Sequence, residues 1–382
     1  MKRSFADIMA GLDSDRAQKV ARKLPAWASV DGLEITSALS LEQCSSSATA
    51  RYKALVAGQV AAAARSGQLA TILDLTGGLG VDSWALSQVA ERVVYFERSE
   101  ELAAAAARNF QRLGAGNIDV RCETVTPQTE LPEADLIYAD PARRDAAGRK
   151  VFLLEDCTPD ILTLLPMLLR KATAVLVKLS PMADLAMLAE RFGPALREIH
   201  VVECDGEVKE LLCLLLRDNS SPEPDIVVVR LSGQAAGGDI LRFRMAEERA
   251  AEVRFAAEVR PGDVLLEPCP ALLKAGAFRL PCARWALRKL APSTHLYLAP
   301  SAPGTDNHFF KAWRVCDTLP FGAAAFKALK QRHPRADVTA RNLPLGSAEL
   351  QKRLGVASGG DVHIFGCRLA DGTSVLLVTE PV

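Results

Sequence analysis

Asp74-Leu75-Thr76-Gly77-Gly78-Leu79-Gly80-Val81-Asp82 stands where a short apolar run, Thr71 to Leu75, gives way to a helical pattern beginning near Asp82. Gly78 and Gly80 lack a Cβ, so the backbone there can take positive φ and approach a ligand closely. The N-terminus of the following helix favours a carboxylate at the same place. A strand, a glycine turn and a helix in that order predict a doubly wound α/β domain, which binds ligands beyond the carboxyl ends of its strands. Two other readings stay open. Gly78 and Gly80 also start a dinucleotide loop, Gly-x-Gly-x-x-Gly, although Ser83 stands where its third glycine belongs. A plain tight turn is the other.

Working outward, further apolar runs at Arg92 to Glu97, Ile118 to Cys122, Asp135 to Ala139 and Thr173 to Leu179 read as parallel strands buried on both faces. Helical patterns near Asp82 to Ala90, Glu100 to Leu113, Pro159 to Arg170 and Met182 to Phe192 alternate with them. Glu198 to Val202 and Lys209 to Leu216 then flank Asp205-Gly206 as a hairpin, and Ile226 to Leu231 and Ile240 to Phe243 read as two more strands. Upstream, an amphipathic helix over 4–22 stops at Pro25, and an Ala-rich helix runs from about Thr49 to Ala64. Downstream, a helix near Ala283 to Leu290, a strand at His295 to Leu298 and a helix near Ala323 to Arg332 are expected. After them come a strand at Asp337 to Ala340, a helix at Ser347 to Leu354 and a hairpin of Val362 to Leu369 with Ser374 to Val378.

The 382 residues suggest two or three domains, and 49% hydrophobic with 24% charged residues is the balance of a globular protein. No apolar run approaches the roughly 18 residues of a membrane span, and charges interrupt the first 24 positions, so neither a membrane partner nor a signal peptide is expected. A cytoplasmic location is the expectation. The nine cysteines form no Cys-x-x-Cys pair and the five histidines are dispersed, which predicts no metal site. The formal net charge of zero hides segregation: Pro270 to Ala336 carries eleven Lys or Arg against two acids, while 54–269 is acidic. The basic stretch also holds eight aromatics, Phe278, Trp285, Tyr297, Phe309, Phe310, Trp313, Phe321 and Phe326. Cations attract phosphate and exposed rings stack on bases, so RNA is the expected partner. The competing reading makes those rings the core of a small domain.

Several residues near the glycine turn carry candidate chemistry. Glu97 closes the second strand about 20 residues on, where such folds hold ribose hydroxyls. Glu123, just past the third strand, is a candidate for an adenine edge. The fourth strand runs into Asp140-Pro141-Ala142-Arg143-Arg144-Asp145. Pro141 fixes φ and donates no N–H, so Asp140 can be held rigidly toward a substrate amine. Lys178 ends the fifth strand near the same rim, where it either pairs with Asp140 or Asp145 or reaches solvent.

Together, Asp74 to Asp82, Asp140 to Asp145 and the closing segment resemble the class I methyltransferases that carry a C-terminal THUMP-like domain. Thr76 replaces the first glycine of their Asp-x-Gly-x-Gly-x-Gly loop, and Ala142 replaces the second proline of an Asp-Pro-Pro-Arg element. Gln43 to Lys53, Lys178 to Pro181, Lys274 to Phe278 and Thr339 to Asn342 match the same family's pattern. The resemblance implies a helical cap over 1–53 and a methyltransferase domain over 54–245. A basic ferredoxin-like module over 265–336 and a THUMP-like module over 337–382 follow. It also implies S-adenosylmethionine as cofactor, held by Asp74, Thr76, Gly78, Gly80, Asp82, Glu97 and Glu123. Methyl transfer to a nitrogen of an RNA base, in tRNA or rRNA, would then use Asp140, Pro141, Arg143 and Lys178, with Arg144, Arg51, Lys274 and Arg341 on the RNA. A nicotinamide-dependent oxidoreductase and a non-catalytic RNA-binding protein with a vestigial pocket are the competing functions.

Overall fold

The computed structural model describes residues 16–63, 69–142, 157–232, 238–300 and 308–382. The chain divides between Arg242 and Phe243 into two compact units. The first is built on a sheet of β1 (Leu69–Asp74), β2 (Ala90–Glu97), β3 (Ile118–Cys122), β4 (Ala134–Ala139), β5 (Ala172–Leu179), β6 (Leu196–Cys204), β7 (Glu207–Leu216), β8 (Asp225–Leu231) and β9 (Gly238–Arg244). Its order is β3-β2-β1-β4-β5-β7-β6-β8-β9. The first five positions are mutually parallel, and β7 enters antiparallel to both β5 and β6. This is the strand plan expected of a class I methyltransferase, with β8 and β9 added at one edge. Because the order reverses between β1 and β4, the loops leaving these two strands diverge, and a crevice opens between them.

Burial explains the near-continuous apolar runs. Ile72, Leu73, Val93, Val94, Leu136, Ile137, Val175 and Leu176 are all fully buried, since helices cover both faces of a parallel sheet. The helix Ser47–Ala63 lays Tyr52, Val56 and Ala57 on one face, and the helix Glu100–Arg112 packs Phe110 against Tyr95 on the other. Upstream, a helix over 16–23 ends at Leu24 and Pro25 opens a short new helix, Pro25–Ala28. Proline suits that first position because its missing N–H would have no partner there. The portion of the expected first helix before Arg16 lies outside the described residues.

The second unit is one eight-stranded sheet. It comprises β10 (Arg254–Phe255), β11 (Val264–Pro268), β12 (Arg288–Ala291), β13 (Thr294–Leu298), β14 (Phe310–Pro320), β15 (Asp337–Arg341), β16 (His363–Arg368) and β17 (Ser374–Pro381), in the order β10-β12-β13-β11-β14-β17-β16-β15. The helices Ala323–Arg332 and Ser347–Leu354 bury Leu329, Leu350 and Leu354 against it. The boundary expected at 336/337 falls within this sheet, because β14 pairs with β11 on one side and β17 on the other. The helix expected over Ala283 to Leu290 is not present. A short helix, Leu280–Arg284, stops there, Ala286 turns to φ +53°, and 288–291 become β12. A left-handed residue cannot continue a right-handed helix, so the chain reverses at that point.

Of the eight aromatics in the basic segment, Tyr297, Phe309, Phe310 and Trp313 are buried and the other four are half-buried. They serve chiefly as core, which removes the expected array of free stacking rings. Among the described residues no helix is long and apolar enough to cross a membrane.

Candidate active site

The glycine turn leaves β1 at its carboxyl end. Gly78 and Gly80 have φ of +55° and +87°, the left-handed region that side chains resist. A Cβ on Gly80 would lie 2.6 Å from the Phe110 ring, so this glycine also lets the turn pack against the helix Glu100–Arg112. At Gly78 a Cβ would meet nothing nearer than 3.9 Å, so this part of the backbone faces open space. Its position is fixed from β2: Gly78 N donates to Glu97 Oε2 at 2.9 Å, and the Tyr95 hydroxyl donates to Gly78 O at 2.6 Å. Glu97 Oε1 accepts from Ser99 N at 2.8 Å, which stretches the carboxylate along the rim. Glu123 follows β3 and is exposed, its N–H bonded to Glu97 O at 3.1 Å.

Asp74 is wholly buried beneath the turn. Its carboxylate accepts from Ser83 Oγ at 2.5 Å and Thr76 N at 3.0 Å. Burial pushes its pKa up to about 7, against those two hydrogen bonds, which favour the ionised form. Asp74 therefore shapes the loop and does not line its open face. Thr76, standing where the related loops have glycine, does something a glycine could not: its Oγ1 accepts from Asp140 N at 2.6 Å. The turn after β1 and the element after β4 are thereby joined by one hydroxyl.

Asp140 follows β4 and forms an ion pair with Lys178 of β5. Of the two partners expected for Lys178, the structure shows Asp140. Burial alone would lower the Lys178 pKa, but the negative charges of Asp140, Glu210 and Asp82 raise it above the ordinary lysine value. Pro141 is buried, and Ala142 forms an isolated antiparallel bridge with Thr158 that anchors the chain leaving the site. Arg143, Arg144 and Asp145 lie outside the described residues.

Behind this pair is a buried charge network that the sequence reading did not contain. Lys53, on the helix Ser47–Ala63, is completely buried. Its Nζ lies 2.8 Å from Glu210 Oε1 and 3.2 Å from Asp82 Oδ1, and donates to Ser45 Oγ at 2.9 Å. Asp82 Oδ2 also accepts from Ser45 Oγ and from the Tyr138 hydroxyl, both at 2.8 Å. Burial opposes ionisation of Asp82, but Lys53 and Lys178 hold its pKa below normal. Glu210 goes the other way, raised by burial that the same two lysines only partly offset. With Asp140 the cluster contains three carboxylates and two ammonium groups, leaving an excess of negative charge at the strand ends. A lysine in an Ala-rich helix and a glutamate before Leu-Leu-Cys-Leu-Leu-Leu were the signals, since unpaired charge is costly inside apolar segments. Arg51, selected from the same helix, is exposed two residues away. Lys274 and Arg341 belong to the second unit, where Arg341 pairs with Glu267 of β11 at 3.0 Å.

A sheet ordered 3-2-1-4-5-7-6, with a glycine turn after β1 and an acid after β4, defines a methyltransferase-type domain. Comparisons with known proteins agree. The chain is similar to the crystal structure of a protein from Porphyromonas gingivalis W83 assigned as a methyltransferase, at 34% identity over 97% of this chain and 89% of that one, with a TM-score of 0.84. Residues 265–303 match a ferredoxin-like domain family, and residues 310–381 match a family described as THUMP domain-like. Similarity of lower degree extends to a Pyrococcus horikoshii protein assigned as an RNA methyltransferase, at 18% identity over 40% of this chain and 70% of that one, TM-score 0.29. It also extends to a Streptococcus mutans protein assigned as a methyltransferase and crystallised with SAH, at 11% identity over 39% of this chain and 89% of that one, TM-score 0.30. No curated protein matches the chain. The chain belongs to the class I methyltransferase family whose members carry a C-terminal THUMP-like domain.

Proposed function

We propose that the protein transfers a methyl group from S-adenosylmethionine to a nitrogen of an RNA base, in tRNA or rRNA, in the cytoplasm. The observation that carries this reading is the Thr76–Asp140 hydrogen bond, which sets a cofactor turn and a substrate acid at a fixed separation across the crevice between β1 and β4. The residues present fit the cofactor. Gly78 offers open left-handed backbone, and Glu97 presents its carboxylate beside it for the ribose hydroxyls. Glu123 stands by the next strand for the adenine edge, while Thr76 and Gly80 shape the turn, with Asp74 and Asp82 bracing it from below. The excess negative charge around Asp82, Glu210 and Asp140 favours a cationic ligand over the pyrophosphate of a nicotinamide dinucleotide.

When bound, S-adenosylmethionine supplies a methyl group already activated by its sulfonium. The chain's task is then alignment and proton management. Asp140 orients the acceptor N–H and accepts its proton, while Lys178 keeps the carboxylate turned to the rim. Pro141 stiffens that segment, and Arg143 and Arg144 follow it as candidates for the substrate backbone. Arg51, Lys274 and Arg341 are proposed as further RNA contacts. Support for RNA comes from the THUMP domain-like match and from the concentration of exposed cations between 270 and 336.

Calorimetric titration of the full chain with S-adenosylmethionine tests the cofactor. Gly78→Arg fills the open space and should abolish binding while the circular dichroism stays native; unchanged affinity refutes the site. Mass spectrometry of RNA nucleosides from cells with and without the gene tests the substrate, and identical modification profiles would refute it.

A further inference from the structure

Lys289 is the one buried cation among the eleven of the basic segment, at 2% exposure. Its Nζ donates to Pro292 O at 2.8 Å and lies 5.6 Å from the centre of the Phe278 ring. An ammonium has three N–H donors, and among the described residues the other two find no acceptor. A buried charge so thinly paired is costly, and burial accordingly lowers the lysine's pKa. Arg279 adds to the imbalance. Its Nε donates to Ala251 O at 2.9 Å, its remaining guanidinium nitrogens have no partner among the described residues, and its charge acts against that of Lys289. The neighbouring carboxylate compensates only in part: its charge favours the ammonium, yet burial still leaves the lysine's pKa lowered. Glu248 accepts from the backbone N–H groups of Phe278, Arg279 and Leu280 at 3.1, 2.8 and 2.8 Å, so its oxygens are committed to the start of the helix Leu280–Arg284.

These two cations line a cavity of about 500 Å³, within the size range of small-molecule sites. The Glu248 carboxylate lines it as well, and Val253, Phe255 and Pro292 supply apolar wall beside them. Phe278 is already stacked on His295, with ring centres 3.9 Å apart, whereas Phe255 is 43% exposed. With two cations against one carboxylate, the cavity combines a net positive charge with one free aromatic ring, which matches a ligand having an anionic end and a flat end.

We propose that this cavity binds a nucleotide, with its phosphate on Lys289 Nζ and the Arg279 guanidinium and its base against Phe255. The site lies wholly within the second unit and does not depend on the methyl-transfer reading. Both a free nucleotide and the 5′ end of an RNA chain present this chemistry.

The test is calorimetry on the full-length protein with adenosine and uridine 5′-monophosphates, the parent nucleosides and inorganic phosphate. The monophosphates should bind at least about tenfold more tightly than either the nucleosides or phosphate, a difference of about 1.4 kcal/mol. Arg279→Gln and Lys289→Met should each weaken them about tenfold, and Phe255→Ala should weaken the nucleotides while leaving phosphate unchanged. Arg279 and Phe255 are exposed, so their variants keep the test decisive if Lys289→Met misfolds. No binding at millimolar nucleotide, equal affinity for nucleoside and monophosphate, equal affinity for inorganic phosphate and monophosphate, or native affinity in these variants would overturn the assignment. A 5′-phosphorylated RNA hexamer that displaces adenosine monophosphate assigns the site to an RNA end, and one that does not assigns it to the free nucleotide. S-adenosylmethionine affinity, titrated in parallel, reports on the first unit alone, so the two proposals fail separately.

Discussion

Replacing Lys53 by methionine removes one charge from the centre of the network while keeping most of the side chain's length. In the native protein Lys53 is fully buried, 2.8 Å from Glu210 and 3.2 Å from Asp82, and the Glu210 side chain is only 3% exposed. Removing one partner of a buried pair strands the other and typically costs about 3 to 5 kcal/mol. The upper end is expected at pH 8, where Glu210 must ionise beside Asp82 with only Lys178 to offset it. The cost should shrink as the solution is acidified. Glu210 already has a raised folded pKa, and losing Lys53 raises it further. A carboxyl whose folded pKa exceeds its unfolded value contributes stability below the unfolded pKa, and that contribution fades as pH rises toward the folded one. Denaturant unfolding at pH 5 and pH 8, with amide exchange in β1, β5 and β7 to localise the loss, gives both numbers. Pairing Lys53→Met with Glu210→Met removes the stranded charge and should recover at least half of the loss at pH 8. If the single variant is as stable as the native protein at pH 8, or the double variant recovers nothing, the network is not what holds this end of the sheet.

Asp140→Ala should keep S-adenosylmethionine affinity and abolish methyl transfer to RNA; turnover within about tenfold of native would refute its catalytic role. Thr76→Val keeps the shape but removes the acceptor for Asp140 N, a loss of about 1 kcal/mol for a half-buried hydrogen bond. Its transfer rate should fall more than its cofactor affinity, and the reverse split would show that the hydroxyl serves only the turn. Asp74→Asn removes a carboxyl whose folded pKa, about 7, lies above the ordinary aspartate value of 3.8. The native protein should therefore lose stability relative to this variant as pH rises from about 4 to 7, and parallel stability curves over that range would contradict the buried assignment.

The first sheet was legible because its strands are buried on both faces and so appear as unbroken apolar runs. Gly78 and Gly80 were legible because few residues tolerate the backbone they adopt. The Lys53–Glu210 pair was not, since its members are 157 positions apart and each looks alone like an isolated charge in apolar surroundings. The reading of Ala283 to Leu290 as one helix failed at Ala286, where a residue with good helix propensity takes a left-handed turn imposed by the surrounding fold. The expected boundary at 336/337 coincides with the end of the basic stretch, but charge follows the solvent surface, whereas strand pairing follows the backbone.

The placement of β14 has a practical corollary for anyone dissecting this protein. Residues 265–303 and 310–381 match separate families, yet Phe310–Pro320 is the common wall of both. A fragment ending near 303 would bare the hydrogen-bonding edge of Val264–Pro268, and one starting after 320 would do the same to Ser374–Pro381. Raw edges of that kind recruit other chains. Neither half should behave as a portable cassette, and grafting one alone onto another enzyme should yield aggregates.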